Sequence, residues 1–144
     1  MLKGLIGCTL ALAVAGCATA PTKTAFENSR VYPESYDAVW TQVVGFFATH
    51  NIPIKNIAKD SGVIYAEQLS FDTADADCGS HPLTIPLKGT VSFNAFVQSQ
   101  ATSTRVTITA NFQQELTDIY NHPLATVPCL SRGVIEQTIL NSIH

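Results

Sequence analysis

The chain has 144 residues, with eight Lys and Arg against eleven Asp and Glu, for a formal net charge of −3. Charged residues are 13% of the total, well below the usual ~25%, so Ser, Thr, Asn and Gln supply much of the polarity, as suits a β-rich exported domain. There is no basic run and no arginine cluster, which argues against a nucleic-acid partner, and a weakly negative chain is not drawn to anionic lipid headgroups.

Met1-Leu2-Lys3 opens a positively charged start, and Leu5 to Ala15 is an apolar stretch. The stretch is too short to cross a bilayer core, which takes ~20 apolar residues, so residues 1–16 read as a removable export signal. Val14-Ala15-Gly16-Cys17 closes it. These four residues resemble the lipobox of bacterial lipoproteins. The resemblance implies cleavage after Gly16, a thioether-linked lipid on Cys17 and acylation of the new N-terminus. Two or more acyl chains anchor stably, each buried CH₂ contributing ~0.8 kcal/mol. Ala18, not aspartate, follows the cysteine, and the sorting pattern of that family then implies the outer membrane with the domain facing the periplasm. Removing 16 of the 144 residues leaves 128, enough for one domain with a real core.

Cys8 leaves with the signal and Cys17 takes the lipid, so Cys78 and Cys129 remain in an oxidising compartment. The expectation is a Cys78–Cys129 disulfide, with two buried thiols as the alternative. Such a bridge closes a loop of about fifty residues, worth ~4 kcal/mol in the chain-entropy description.

Residues 17–30 are small and polar with one proline and no apolar period, and read as a lipidated tether reaching at most ~40 Å. The domain is expected over 31–144, with Val31 and Tyr32 as a short opening strand. Ser35 is suited to cap a helix over 36–49, since Tyr36, Val39, Trp40, Val43 and Phe47 form one apolar face. Asn51 suits a left-handed stop and Pro53 forbids continuation. A short strand over 52–57 follows. It contains Pro53, which cannot donate to a ladder, and is therefore expected at an edge. A turn at Asp60-Ser61-Gly62 then leads to a strand over 63–71.

Residues 72–87 read as a long loop. The alternations Val91, Phe93, Ala95, Val97 and Val106, Ile108, Ala110, Phe112 predict a hairpin with one buried face. Leu116 to Pro128 reads as irregular, and Ser131 as the cap of a last helix over 132–143. The order is (β)-α-β-β-β-β-α: an α+β fold with a single antiparallel sheet and both helices on one face.

No catalytic, cofactor or metal site emerges. Asp72, Asp75, Asp77 and Gly79 lack the ligand spacing and bidentate glutamate of a calcium loop, and His81 has no second histidine nearby. No G-x-S-x-G elbow occurs. His50 reads as a partner of the helix C-terminus and His122 as part of a turn. Phe96 points opposite to Phe93. An aromatic there is either an isolated exposed residue or part of a contact surface.

Over residues 35–64 a tryptophan-bearing helix runs into a strand and then Lys59-Asp60-Ser61-Gly62-Val63-Ile64. This resembles the helix-grip domains of BamC-type envelope lipoproteins, which commonly carry two such domains where this chain has room for one. The resemblance implies a non-catalytic accessory or scaffold role toward an envelope protein complex. The alternative is a periplasmic binding module holding a small apolar ligand or lipid in a groove between helix and sheet.

Overall fold

The computed structural model describes residues 17–68 and 70–144; the signal segment, including Cys8 and Val14 to Gly16, and Leu69 lie outside the described residues. Seven strands form the sheet: β1 (Ser29–Tyr32), β2 (Ile54–Ala58), β3 (Val63–Gln68), β4 (Ala76–Asp77), β5 (Ile85–Ser99), β6 (Thr104–Thr117) and β7 (Pro123–Ser131). Among the described residues two helices accompany them, α1 (Tyr36–Thr49) and α2 (Val134–Ser142). The fold is α+β, one antiparallel sheet with two helices. The strand order is β2-β3-β5-β6-β7-β4, and β1 pairs with the first residues of β6.

α1 has the expected bounds. The Ser35 hydroxyl accepts from the Ala38 amide at 3.4 Å, and Asn51 takes the left-handed conformation at φ 54°. Its buried face of Val39, Trp40, Val43, Phe46 and Phe47 lies over the sheet, with the Phe47 ring 5.9 Å from Phe93. Alternate residues of β5 (Val91, Phe93, Ala95, Val97) and β6 (Val106, Ile108, Ala110, Phe112) complete the core with Ile64 and Ala66 of β3 and Ile139 and Leu140 of α2. β3 thus buries Ile64 and Ala66, while Val63 and Tyr65 face away.

Three expectations about the last strands and the last helix need correction. Leu116 to Pro128 is not irregular: β6 continues to Thr117, a turn follows, and β7 begins at Pro123. Pro123 and Pro128 are tolerated because β7 is paired on one side by β6 over Pro123–Cys129 and meets β4 only at Leu130 and Ser131. Within the 72–87 loop, β4 pairs with β7, and β5 already begins at Ile85. α2 starts at Val134 with Gly133, not Ser131, as its N-terminal flank. Ser131 still serves that end: its hydroxyl accepts from the Gly133 amide at 3.0 Å and donates to the buried Glu136 carboxylate at 2.9 Å. Glu136 also accepts from the Ala110 amide, tying α2 to β6.

The Cys78–Cys129 disulfide is formed, and it fastens the residues just after β4 to β7. Residues 19–28, expected as a tether, lie along the domain. Thr19 and Ser80 exchange two backbone hydrogen bonds of 3.2 and 2.9 Å, and the Thr22 amide donates to Asp77 at 3.1 Å. Phe26 covers Gly133, and the Asn28 carbonyl accepts from the Ile108 amide at 2.8 Å.

Candidate functional site

Because both helices take one face of the sheet, the alternation of β5 and β6 turns Ser92, Asn94, Phe96, Thr107, Thr109 and Asn111 to the other. The register builds cross-strand rows there: Val63, Phe96 and Thr107 in one, Tyr65, Asn94 and Thr109 in the next. The surface is largely hydroxyl and amide, with Phe96 at 40%, Val63 at 37% and, on β1 opposite Arg105, Val31 at 43% exposure as its apolar spots. Phe96 therefore faces outward, as its position in the alternation requires.

The turn between β2 and β3 frames this end of the face. Gly62, at φ 72°, donates its amide to the Lys59 carbonyl at 3.0 Å, and its own carbonyl accepts from the Val97 amide at 2.8 Å. A Cβ on Gly62 would sit 2.0 Å from the Val97 carbonyl oxygen, so the approach needs glycine. The Tyr36 hydroxyl donates to the Lys59 carbonyl, and Lys59 pairs with Asp37 at 2.7 Å. The hydrogen bond to Asp37 holds the Lys59 ammonium above its usual range, and burial raises the Tyr36 phenol. The Lys59 to Ile64 motif thus has a structural role, fastening the turn to both the start of α1 and the end of β5. With Phe96, Gln98 and Ser99 these residues border an open groove of about 560 Å³. Further along the face, Tyr65 donates to Glu67 at 2.7 Å, which raises its phenol pKa, and Lys55 stands 3.8 Å from the same carboxylate.

A second, smaller cavity of about 290 Å³ lies at the other end of the hairpin, lined by Phe71, Cys78, His81, Pro86, Leu116 and Arg132. It sits between the 70–84 segment and the sheet, not between a helix and the sheet. Asp77 and Gly79, weighed in the sequence together with Cys78 and His81, line it as well, but the cavity itself is not readable locally, because Phe71 and Leu116 are far apart in the chain and come to one site only when β5 and β6 pair.

Of the side chains weighed for chemistry, Asp77 and His81 line this cavity, while His50 and His122 are not among its lining residues. His50 Nδ1 lies 2.9 Å from the Phe46 carbonyl with its ring stacked on Phe46, His81 Nε2 is 3.0 Å from the Cys78 carbonyl, and His122 Nδ1 is 3.0 Å from Asp118. Asp72 accepts from the Ala74 amide, Asp75 from the Asp72 amide, and Asp77 from the Gly79 and Thr22 amides. The amide hydrogen bonds of Gly79 and then Thr22 lower the Asp77 pKa, as those of His122 and Tyr120 lower that of Asp118. Asp72, Asp75 and Asp118 organise their own loops, whereas Asp77 also holds the N-terminal segment through Thr22 and stands 3.8 Å from Arg132. Among the described residues no three His, Cys, Asp or Glu side chains gather as a metal site would require, and no helix is long and apolar enough to cross a membrane. Cys17 is exposed.

No protein-family model matches this sequence, and a search among curated proteins finds no match.

Proposed function

We propose that the chain is an outer-membrane lipoprotein, anchored through lipid on Cys17, whose periplasmic domain serves as a non-catalytic accessory to an envelope protein complex. The observation that carries the partner-binding half is the uncovered sheet face around Phe96 and Val63, bordered by the groove at the Lys59 to Gly62 turn. Hydroxyl and amide side chains there can pair with a partner's polar groups, and an aromatic among them supplies the kind of anchor that dominates interface energy. The lipid half rests on the Val14 to Cys17 motif behind its apolar segment.

Affinity recovery from detergent-solubilised membranes tests the reading. Wild type is expected to bring down an envelope protein, and folded Phe96→Ser to lose it. His81→Ala and His122→Ala are expected to retain both the partner and any dependent envelope phenotype. Loss of function in a folded histidine variant would instead favour chemistry at those sites. Cys17→Ala is expected in the unprocessed or soluble fraction, and recovery of wild type mainly in inner membranes would defeat the outer-membrane assignment.

The small cavity beside Phe71 and Leu116 favours a second reading, a binding module for a small apolar ligand or lipid. Mass spectrometry of the natively purified protein for a co-purifying lipid discriminates it from the first.

A further inference from the structure

The end of the sheet farthest from Phe96 is apolar and uncovered. Ile85 pairs with Thr117, and Thr117 with Pro123, so the residues flanking these three positions share one rim. That rim carries Leu83 at 96% exposure, Ile119 at 72% and Tyr120 at 73%, with Ile85, Leu87 and Leu124 also exposed. Scattered exposed apolar residues are ordinary, but a group gathered at one rim calls for an occupant.

The path of the N-terminal segment names that occupant. Thr19 pairs antiparallel with Ser80, and Thr22 meets Asp77 in the same sense. In an antiparallel pair, moving back along one strand moves forward along the other. Going back from Thr19 to Cys17 therefore runs alongside His81 and Pro82, toward Leu83 and away from Asp77. Cys17 is only two residues from the docked Thr19, a reach of at most about 7 Å. A lipid on Cys17 would thus emerge beside the apolar rim, with no slack for the domain to stand away from the bilayer.

We infer that this rim, with Leu83, Ile119 and Tyr120 foremost, rests on the surface of the membrane that holds the Cys17 lipid. The inference depends on the lipidation proposed above. Leucine and isoleucine suit the boundary between headgroups and acyl chains, and tyrosine places its ring there with its hydroxyl in water. Phe96 lies eleven residues along β5 from Ile85, roughly 36 Å at about 3.3 Å per residue, so the partner face is held clear of the lipid. Membrane contact and partner contact then occupy opposite ends of one hairpin.

The test uses the full chain, processed in cells and reconstituted into phosphatidylethanolamine and phosphatidylglycerol vesicles doped with a nitroxide-bearing lipid. An environment-sensitive dye is placed through Leu83→Cys or, at the opposite hairpin turn, Ala101→Cys, both exposed positions. Loss of fluorescence at position 83 with none at 101 is the expected result. Equal quenching at both sites, or none at 83 while mass spectrometry shows lipidated Cys17 on the vesicles, would overturn the inference and leave the lipoprotein reading standing. Protein that carries no lipid on Cys17 and stays off the vesicles would overturn both.

Discussion

The two ends of the β5–β6 hairpin share one ladder but are held by different physics. In the half beneath the helices, Val91, Phe93, Ala95 and Val97 face Phe112, Ala110, Ile108 and Val106, and all eight are buried. In the other half, residues 85–90 are exposed or partly exposed. That half relies on the Cys78–Cys129 bridge, the two-residue β4–β7 pairing and the edge-to-face contact of Phe71 with Phe112 at 5.0 Å. Backbone pairing alone does not make a strand core; a covering layer does. Where no helix is available, a covalent bond stands in for buried area.

The contrast is broken most severely at the helix-covered end. Phe47→Ala, removing a fully buried ring against Phe93, is expected to cost about 3–5 kcal/mol and to unfold the domain as a unit, as read by denaturant titration. Opening the bridge acts on the other end. Cys78→Ser with Cys129→Ser is expected to cost about 2–5 kcal/mol, and hydrogen exchange should rise first in β7 and residues 76–85 while β5 from Val91 to Val97 stays protected. Uniform loss of protection would show that the two ends are one cooperative unit. Quantitative labelling of both thiols without reduction would remove the bridge from the protein as it exists.

A smaller effect sharpens the frame around Phe96. Gly62→Ala introduces a side chain at φ 72° and 2.0 Å from the Val97 carbonyl oxygen, and is expected to cost about 1–3 kcal/mol in a thermal melt. The smallest effect is local. Asp77 has a folded pKa below its ordinary 3.8, so its contribution is complete above that value and fades as pH falls through the lower, folded one. Acidification through that window, or Asp77→Asn at neutral pH, should speed exchange of the Thr22 amide and leave global stability little changed. A Thr22 amide indifferent to both would mean that the N-terminal segment is held by Ser80 and Phe26 without help from Asp77.

Local patterns were legible where one interaction dominated. The α1 bounds follow from Ser35, the apolar face and Asn51, and the central hairpin follows from strict alternation. The outward direction of Phe96 comes from the same alternation. β7 was not legible, because Pro123 and Pro128 cannot donate to a ladder and fit a strand only where its second edge is largely unpaired. The same is true of α2, whose flank Gly133 takes φ 82° beneath the ring of Phe26, a contact from more than a hundred residues away.

The sequence by itself determined the class of the fold and the periodic elements, since these rest on near neighbours; it led by elimination to the expectation of a Cys78–Cys129 bridge, and lipid on Cys17 is what the lipobox resemblance implies. Only the tertiary structure decided that residues 19–28 are docked, with Thr19 against Ser80, that the Lys59 to Gly62 turn borders Phe96, and that exposed Leu83, Ile119 and Tyr120 gather at one end of the sheet. Those are contacts between distant segments. Their geometry is set by how the whole sheet closes over its core, which no local run of residues encodes.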